Sequence, residues 1–151
     1  MLRSRFSDAL KTAMKARDAI GVSTVRLILA ALKDRDIAAR TRGQGEPISD
    51  QDILKMLQAM VAQRRESIVL YERGQRPELV AREQQEITVI ETFLPSQMDD
   101  AAIRQAVGAA IREIGATGLK DMGPTMALLR ERFAGTMDFA KASLIVREHL
   151  A

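Results

Sequence analysis

Apolar side chains recur every three or four residues through almost the whole chain, and no stretch alternates β-branched and aromatic residues with polar ones. The pattern predicts helices throughout and no strands, an all-α fold. The first helix, about Leu2 to Asp18, places Phe6, Leu10, Met14 and Arg17 on one face and Asp8, Lys11, Lys15 and Asp18 on another. Gly21 breaks the pattern. A second helix, about Val22 to Arg42, carries Val25, Leu27, Ile28, Leu29, Leu32 and Ile37 around most of its circumference, which predicts a central position.

Gly43 to Pro47 is a loop by composition, and Ser49-Asp50-Gln51-Asp52 after it resembles a capping box, with Asp52 as a shorter stand-in for Glu. The helix that starts there turns Ile53, Met56, Leu57, Met60, Ser67, Ile68 and Tyr71 inward and ends at Gly74, where a left-handed residue costs least. At about 24 residues it spans roughly 36 Å. Pro77 suits the first turn of the next helix, whose apolar face runs from Leu79 to Leu94 and which Pro95 closes. The two form a long antiparallel hairpin. After Pro95 the helices shorten and glycines become frequent, which places a domain boundary there: residues 1–94, then 95–151. Three short helices follow, capped by Asp99 or Asp100, opened by Pro124, and capped by Asp138.

Composition narrows the chemistry. The 151 residues are 46% hydrophobic and 28% charged, a globular balance. No apolar run approaches the roughly 18 residues of a spanning helix, and Met1 to Phe6 lacks a signal-peptide core, so no membrane association and a cytoplasmic location are expected. There is no cysteine and one histidine, His149, which leaves no thiolate chemistry, little imidazole for metal binding and one base for any covalent mechanism. His149 has no carboxylate three residues upstream, the serines lack a glycine-rich elbow, and no phosphate-cradling glycine loop occurs. Neither a metal nor a cofactor is expected, and no catalytic residue can be named.

The net charge of +3 is unevenly distributed. Residues 1–42 hold ten basic and four acidic side chains, residues 43–94 six and nine, and residues 95–151 seven of each. Two features invite a binding reading. Arg64 and Arg65 lie inside the long helix, where consecutive residues diverge by about 100°; they suit either an interhelical salt bridge or an anion. Lys120-Asp121-Met122-Gly123 is a turn leading into a helix N-terminus, where free amides favour an anion unless Asp121 caps its own helix.

Leu10 to Lys15, Ser23 to Lys33, Gln63-Arg64-Arg65-Glu66-Ser67-Ile68, Phe93-Leu94-Pro95 and Asp121-Met122-Gly123, taken in order, resemble the YqeY-like family of stand-alone GatB/YqeY-domain proteins. The region after Pro95 is similar to the tail domain of the B subunit of the tRNA-dependent amidotransferase. The resemblance implies an N-terminal helical domain, a small helical tail domain, and a link to tRNA or to an aminoacyl-tRNA-handling partner. It carries over Asp121, Met122 and Gly123 in the turn, and Gly135 and Asp138 before the last helix. Where relatives often have a basic residue, this chain has Pro124 and Thr136, which weakens a phosphate site in the tail and leaves Lys120 as its cation. The basic surface of residues 1–42, with Lys11, Lys15 and Arg26, is the next candidate. Three functions remain: a non-catalytic module that binds tRNA or a tRNA-handling partner, a component of glutamine-dependent carbon–nitrogen ligation, and a protein-interaction adaptor.

Overall fold

Four of the seven α-helices begin at a side-chain cap, and these caps set the architecture. The computed structural model describes residues 1–151 as α1 (Leu2–Lys15), α2 (Ala19–Thr41), α3 (Asp50–Arg73), α4 (Pro77–Glu91), α5 (Asp100–Ile114), a 3-10 turn (Leu119–Asp121), α6 (Met122–Arg132) and α7 (Phe139–Leu150). Asp18 accepts from the Gly21 amide at 3.0 Å, Ser49 from Asp52 at 3.2 Å, Asp99 from Ala102 at 2.8 Å and Asp138 from Ala140 at 3.0 Å. Each satisfies an amide that has no partner inside its helix.

The chain divides into two compact units, Met1–Leu94 and Pro95–Ala151, each with its own core. In the first, α3 and α4 form the antiparallel hairpin, and α2 packs on α1, α3 and α4. Phe6, Val25, Ile28, Ile53, Leu57, Ile87 and Ile90 fill the centre. Phe6 meets Phe93 edge-on, with ring centroids 4.9 Å apart, so the start of α1 rests on the residue just past α4. In the second unit, α5, α6 and α7 enclose Ile103, Val107, Leu129, Met137, Ala142 and Val146.

Several boundaries depart from the periodicity, for local reasons. The first helix stops at Lys15 rather than Asp18, because Arg17 is left-handed (φ 54°). The Arg17 amide bonds to the Met14 carbonyl and the Asp18 amide to the Ala13 carbonyl, a Schellman closure that frees Asp18 to cap α2. α2 therefore begins at Ala19, and Gly21 lies inside its first turn instead of breaking it. The hairpin end repeats the motif: Gly74 is right-handed, and the left-handed position is Gln75 (φ 55°), with the Arg76 amide bonded to the Tyr71 carbonyl. The Ser49 box is one-sided, since Asp52 lies 4.0 Å from Lys55. α6 begins at Met122, two residues before Pro124, because the 3-10 turn runs straight into it. Nor is α2 enclosed: Leu27 and Ile37 are about half exposed, as is Met14 on α1.

A knot of polar contacts fastens the loop before α3. Arg3 donates to both Asp36 carboxylate oxygens, at 2.8 and 2.9 Å, and to the Ile48 carbonyl at 2.9 Å, while the Ile48 amide donates to Asp36 at 3.0 Å. The Arg3 guanidinium, aided by the Ile48 amide, holds the Asp36 carboxyl below its ordinary range, and Asp36 in turn raises Arg3.

Candidate binding face

A surface cation is available to a ligand when no carboxylate of its own chain already faces it, so the candidate arginines and lysines separate by their partners. Arg64 points into the hairpin seam. Its Nε meets Glu86 at 2.8 Å, each side chain being only 12% exposed, and its Nη1 donates to the Met60 carbonyl at 3.0 Å. Arg82 meets the other Glu86 oxygen at 3.2 Å. Arg64 is thereby the clamp between α3 and α4 rather than an open anion ligand. Arg65, one residue on, faces outward, 3.8 Å from Glu91.

The turn before α6 is closed by its own acid. Asp121 does not cap α6; its carboxylate reaches back to the Thr117 amide at 2.9 Å and the Gly118 amide at 3.3 Å. The Thr117 bond above all, with help from Gly118 and the Lys120 charge, holds Asp121 below the usual carboxylate range. An incoming anion would meet a carboxylate already seated on these amides. Lys120 and Gly123 are exposed and Met122 packs half-buried against the second unit's core. Gly135 and Asp138 do structural work. Gly135 is left-handed (φ 82°) and its carbonyl accepts from Gln97 at 2.7 Å, and Asp138 holds the Ala140 and Lys141 amides.

The remaining candidates, Lys11, Lys15 and Arg26, lie exposed on α1 and α2, which pack on each other. Of the ten basic residues in 1–42, Arg3 alone has a carboxylate within 4 Å. Arg5 lies over the Phe93 ring and donates to the Thr92 carbonyl. The others, including Arg17, Lys33, Arg35, Arg40 and Arg42, are exposed and without an ion pair. Where α1 turns into α2, an open groove of about 710 Å³ is lined by Met14, Arg17, Asp18, Ala19, Val22, Ser23, Arg26 and Leu27. The α2 residues among these fall at the spacing of one helix face. Arg82 reaches Ser23 at 3.4 Å from the neighbouring α4. Periodicity alone assigns Met14 and Leu27 to the core, so it does not reveal the groove; the left-handed Arg17, which ends α1 there, carries no sequence signal. No three His, Cys, Asp or Glu side chains gather anywhere as a metal site would need, and no helix is long and apolar enough to cross a membrane.

Known proteins share this sequence pattern. The model of a family described as Yqey-like protein matches residues 3–150. Curated yeast proteins named "Altered inheritance of mitochondria protein 41, mitochondrial" are similar to the chain. The Kluyveromyces lactis protein is 28% identical over 119 residues, 79% of this chain and 60% of its own. That of Lachancea thermotolerans is 29% identical over the same shares, and that of Saccharomyces cerevisiae 31% identical over 85 residues, 56% of this chain and 44% of its own. The chain thus spans less than two thirds of the length of these relatives. Their names overturn the cytoplasmic default, which rested on the lack of a spanning apolar run and on the character of the first six residues. Leu2 and Phe6 belong to the core of the first unit, so their composition answers to packing and says nothing of an address.

Proposed function

The chain belongs to the YqeY-like family, and on that footing we propose that it is a helical binding module without catalytic machinery of its own, which engages tRNA through the α1–α2 face. The observation that carries this reading is the concentration of unpaired cations there. Lys11, Lys15 and Arg26 have no carboxylate partner, whereas Arg64 is held by Glu86 and the amides near Lys120 by Asp121. Binding of this kind rests on phosphate contacts and shape, so it is salt-dependent and tolerant of sequence. A protein that handles aminoacyl-tRNA is the alternative partner, and the groove beside these cations favours it as a second occupant of the same region.

The test is fluorescence anisotropy with unfractionated tRNA across a salt series. Replacing Lys11, Lys15 and Arg26 by Ala should weaken binding and flatten the slope of log affinity against log salt by about 0.7–0.9 for each phosphate no longer neutralised. Lys120→Ala should change neither. No wild-type binding at low salt, or equal affinity and slope for wild type and triple variant, would refute the reading. A loss confined to Lys120→Ala would move the site to the tail.

A further inference from the structure

The groove at the α1–α2 corner has a character that phosphate contacts do not use. Its floor is apolar: Met14 and Leu27 are 53% and 46% exposed, with Val22 and Ala19 between them. Its rim is cationic. Arg17 and Arg26 line it, and Lys11 and Lys15 lie on α1 one turn before and one residue after Met14, all without carboxylate partners. The single acid in the lining, Asp18, is held by the Gly21 amide. The corner is pre-shaped, because the Schellman closure and this cap fix the angle between the helices, and a Cβ at Gly21 would already crowd the Asp18 carboxylate and the Ala13 methyl.

We propose that this groove is the docking site for an amphipathic helix of a partner protein, one that presents aliphatic anchors at i, i+3, i+4 and i+7 between flanking glutamates or aspartates. The inference goes beyond the tRNA reading and does not rest on it. Three observations select this occupant. Apolar side chains exposed in a concave site gain from aliphatic anchors, and the unbranched thioether of Met14 adapts to their shape. The unpaired rim cations complement acidic flanks, which supply orientation and association rate. A single-stranded nucleic acid would instead want aromatic platforms, and no aromatic side chain lines the groove.

The test is a titration of the full chain, observed through the Met and Leu methyl resonances. Three probes are used: a synthetic helical peptide with leucines at those positions flanked by glutamates, the same peptide flanked by lysines, and unfractionated tRNA. The glutamate peptide should shift the Met14 and Leu27 methyls saturably, and the lysine peptide should not. Leu27→Ser, which alters an exposed side chain, should weaken the glutamate peptide about fivefold or more and leave tRNA affinity unchanged. Arg17→Glu should weaken the glutamate peptide and strengthen the lysine one. The proposal is overturned if the two peptides act alike, if the glutamate peptide leaves both methyls unmoved, or if Leu27→Ser weakens tRNA as much as the peptide, which would make the groove floor a nucleic-acid site. Loss of tRNA binding on Lys11, Lys15 and Arg26 replacement tests only the earlier reading, so the two can fail separately.

Discussion

Asp36 accepts three hydrogen bonds that join α1, α2 and the loop before α3, and its replacement by Ala should unfasten all three. The two bonds from Arg3 constitute one bidentate ion pair, with side chains 38% and 20% exposed. Hydrogen bonds to charged groups contribute about 1.5–3 kcal/mol when shielded, and exposed ion pairs about 1 kcal/mol or less. A pair this open sits near the lower figure, at about 1 kcal/mol. The Ile48 amide, left without its acceptor, adds about another 1 kcal/mol. Asp36→Ala should therefore cost the Met1–Leu94 unit about 2 kcal/mol, a fall of about 10 °C in the midpoint of a domain this size. Asp34→Ala, at an exposed site two residues earlier with no ion pair, should stay within about 0.5 kcal/mol. Because the folded-state pKa of Asp36 is depressed, its contribution is complete above the unfolded value of 3.8 and is lost as pH falls through the lower folded value. Urea titrations should thus show a constant difference between wild type and Asp36→Ala from neutral pH down to about 4, narrowing below it. Hydrogen exchange at the Ile48 amide should accelerate in the variant. If Asp36→Ala and Asp34→Ala are equally stable, or the Ile48 amide keeps its protection, the knot does not hold the loop.

Two further sites test the packing of α2. The Thr24 hydroxyl is buried without a hydrogen-bond partner, so Thr24→Val, which keeps the shape, should raise the urea midpoint by an amount equivalent to about 1 kcal/mol; a lower midpoint would contradict this. At the corner, Asp18→Ala should lose a cap worth about 1 kcal/mol, and Gly21→Ala should lose a similar amount by displacing the same carboxylate. The double variant should then be no worse than Asp18→Ala alone, and additive costs would show that the two residues act separately.

The helical character of the chain and the caps at Ser49, Asp99 and Asp138 were legible because both depend on residues within one or two turns of each other. What depended on distant groups was not. Arg64 could be read as a clamp or as an anion ligand, and the choice was made by Glu86, 22 residues away on the facing helix. The turn before α6 could be read as capped by Asp121 or as open to an anion, but the 3-10 turn brings the Asp121 carboxylate within reach of the two amides behind it. Gly74 drew the left-handed assignment because glycine adopts it most cheaply, yet Gln75 takes that conformation one position later, where the Arg76 amide can close onto Tyr71. Arg17 does the same at the α1–α2 corner. A single non-glycine residue with positive φ, costing about 1–2 kcal/mol, thus closes α1 at the corner where Met14 and Leu27 line a groove rather than a core.

The meeting of Phe6 and Phe93, reinforced by Arg5 donating to the Thr92 carbonyl at 3.0 Å, has a topological consequence. It brings the two ends of the Met1–Leu94 unit side by side, as in a ring closed by its clasp. A unit with adjacent ends can be spliced into a loop of another protein, or reopened at a different loop and rejoined, without drawing any strand of chain across its interior. It also cannot close during synthesis until Phe93 has left the ribosome, so Phe6 must wait, partly uncovered, for 87 residues to follow it.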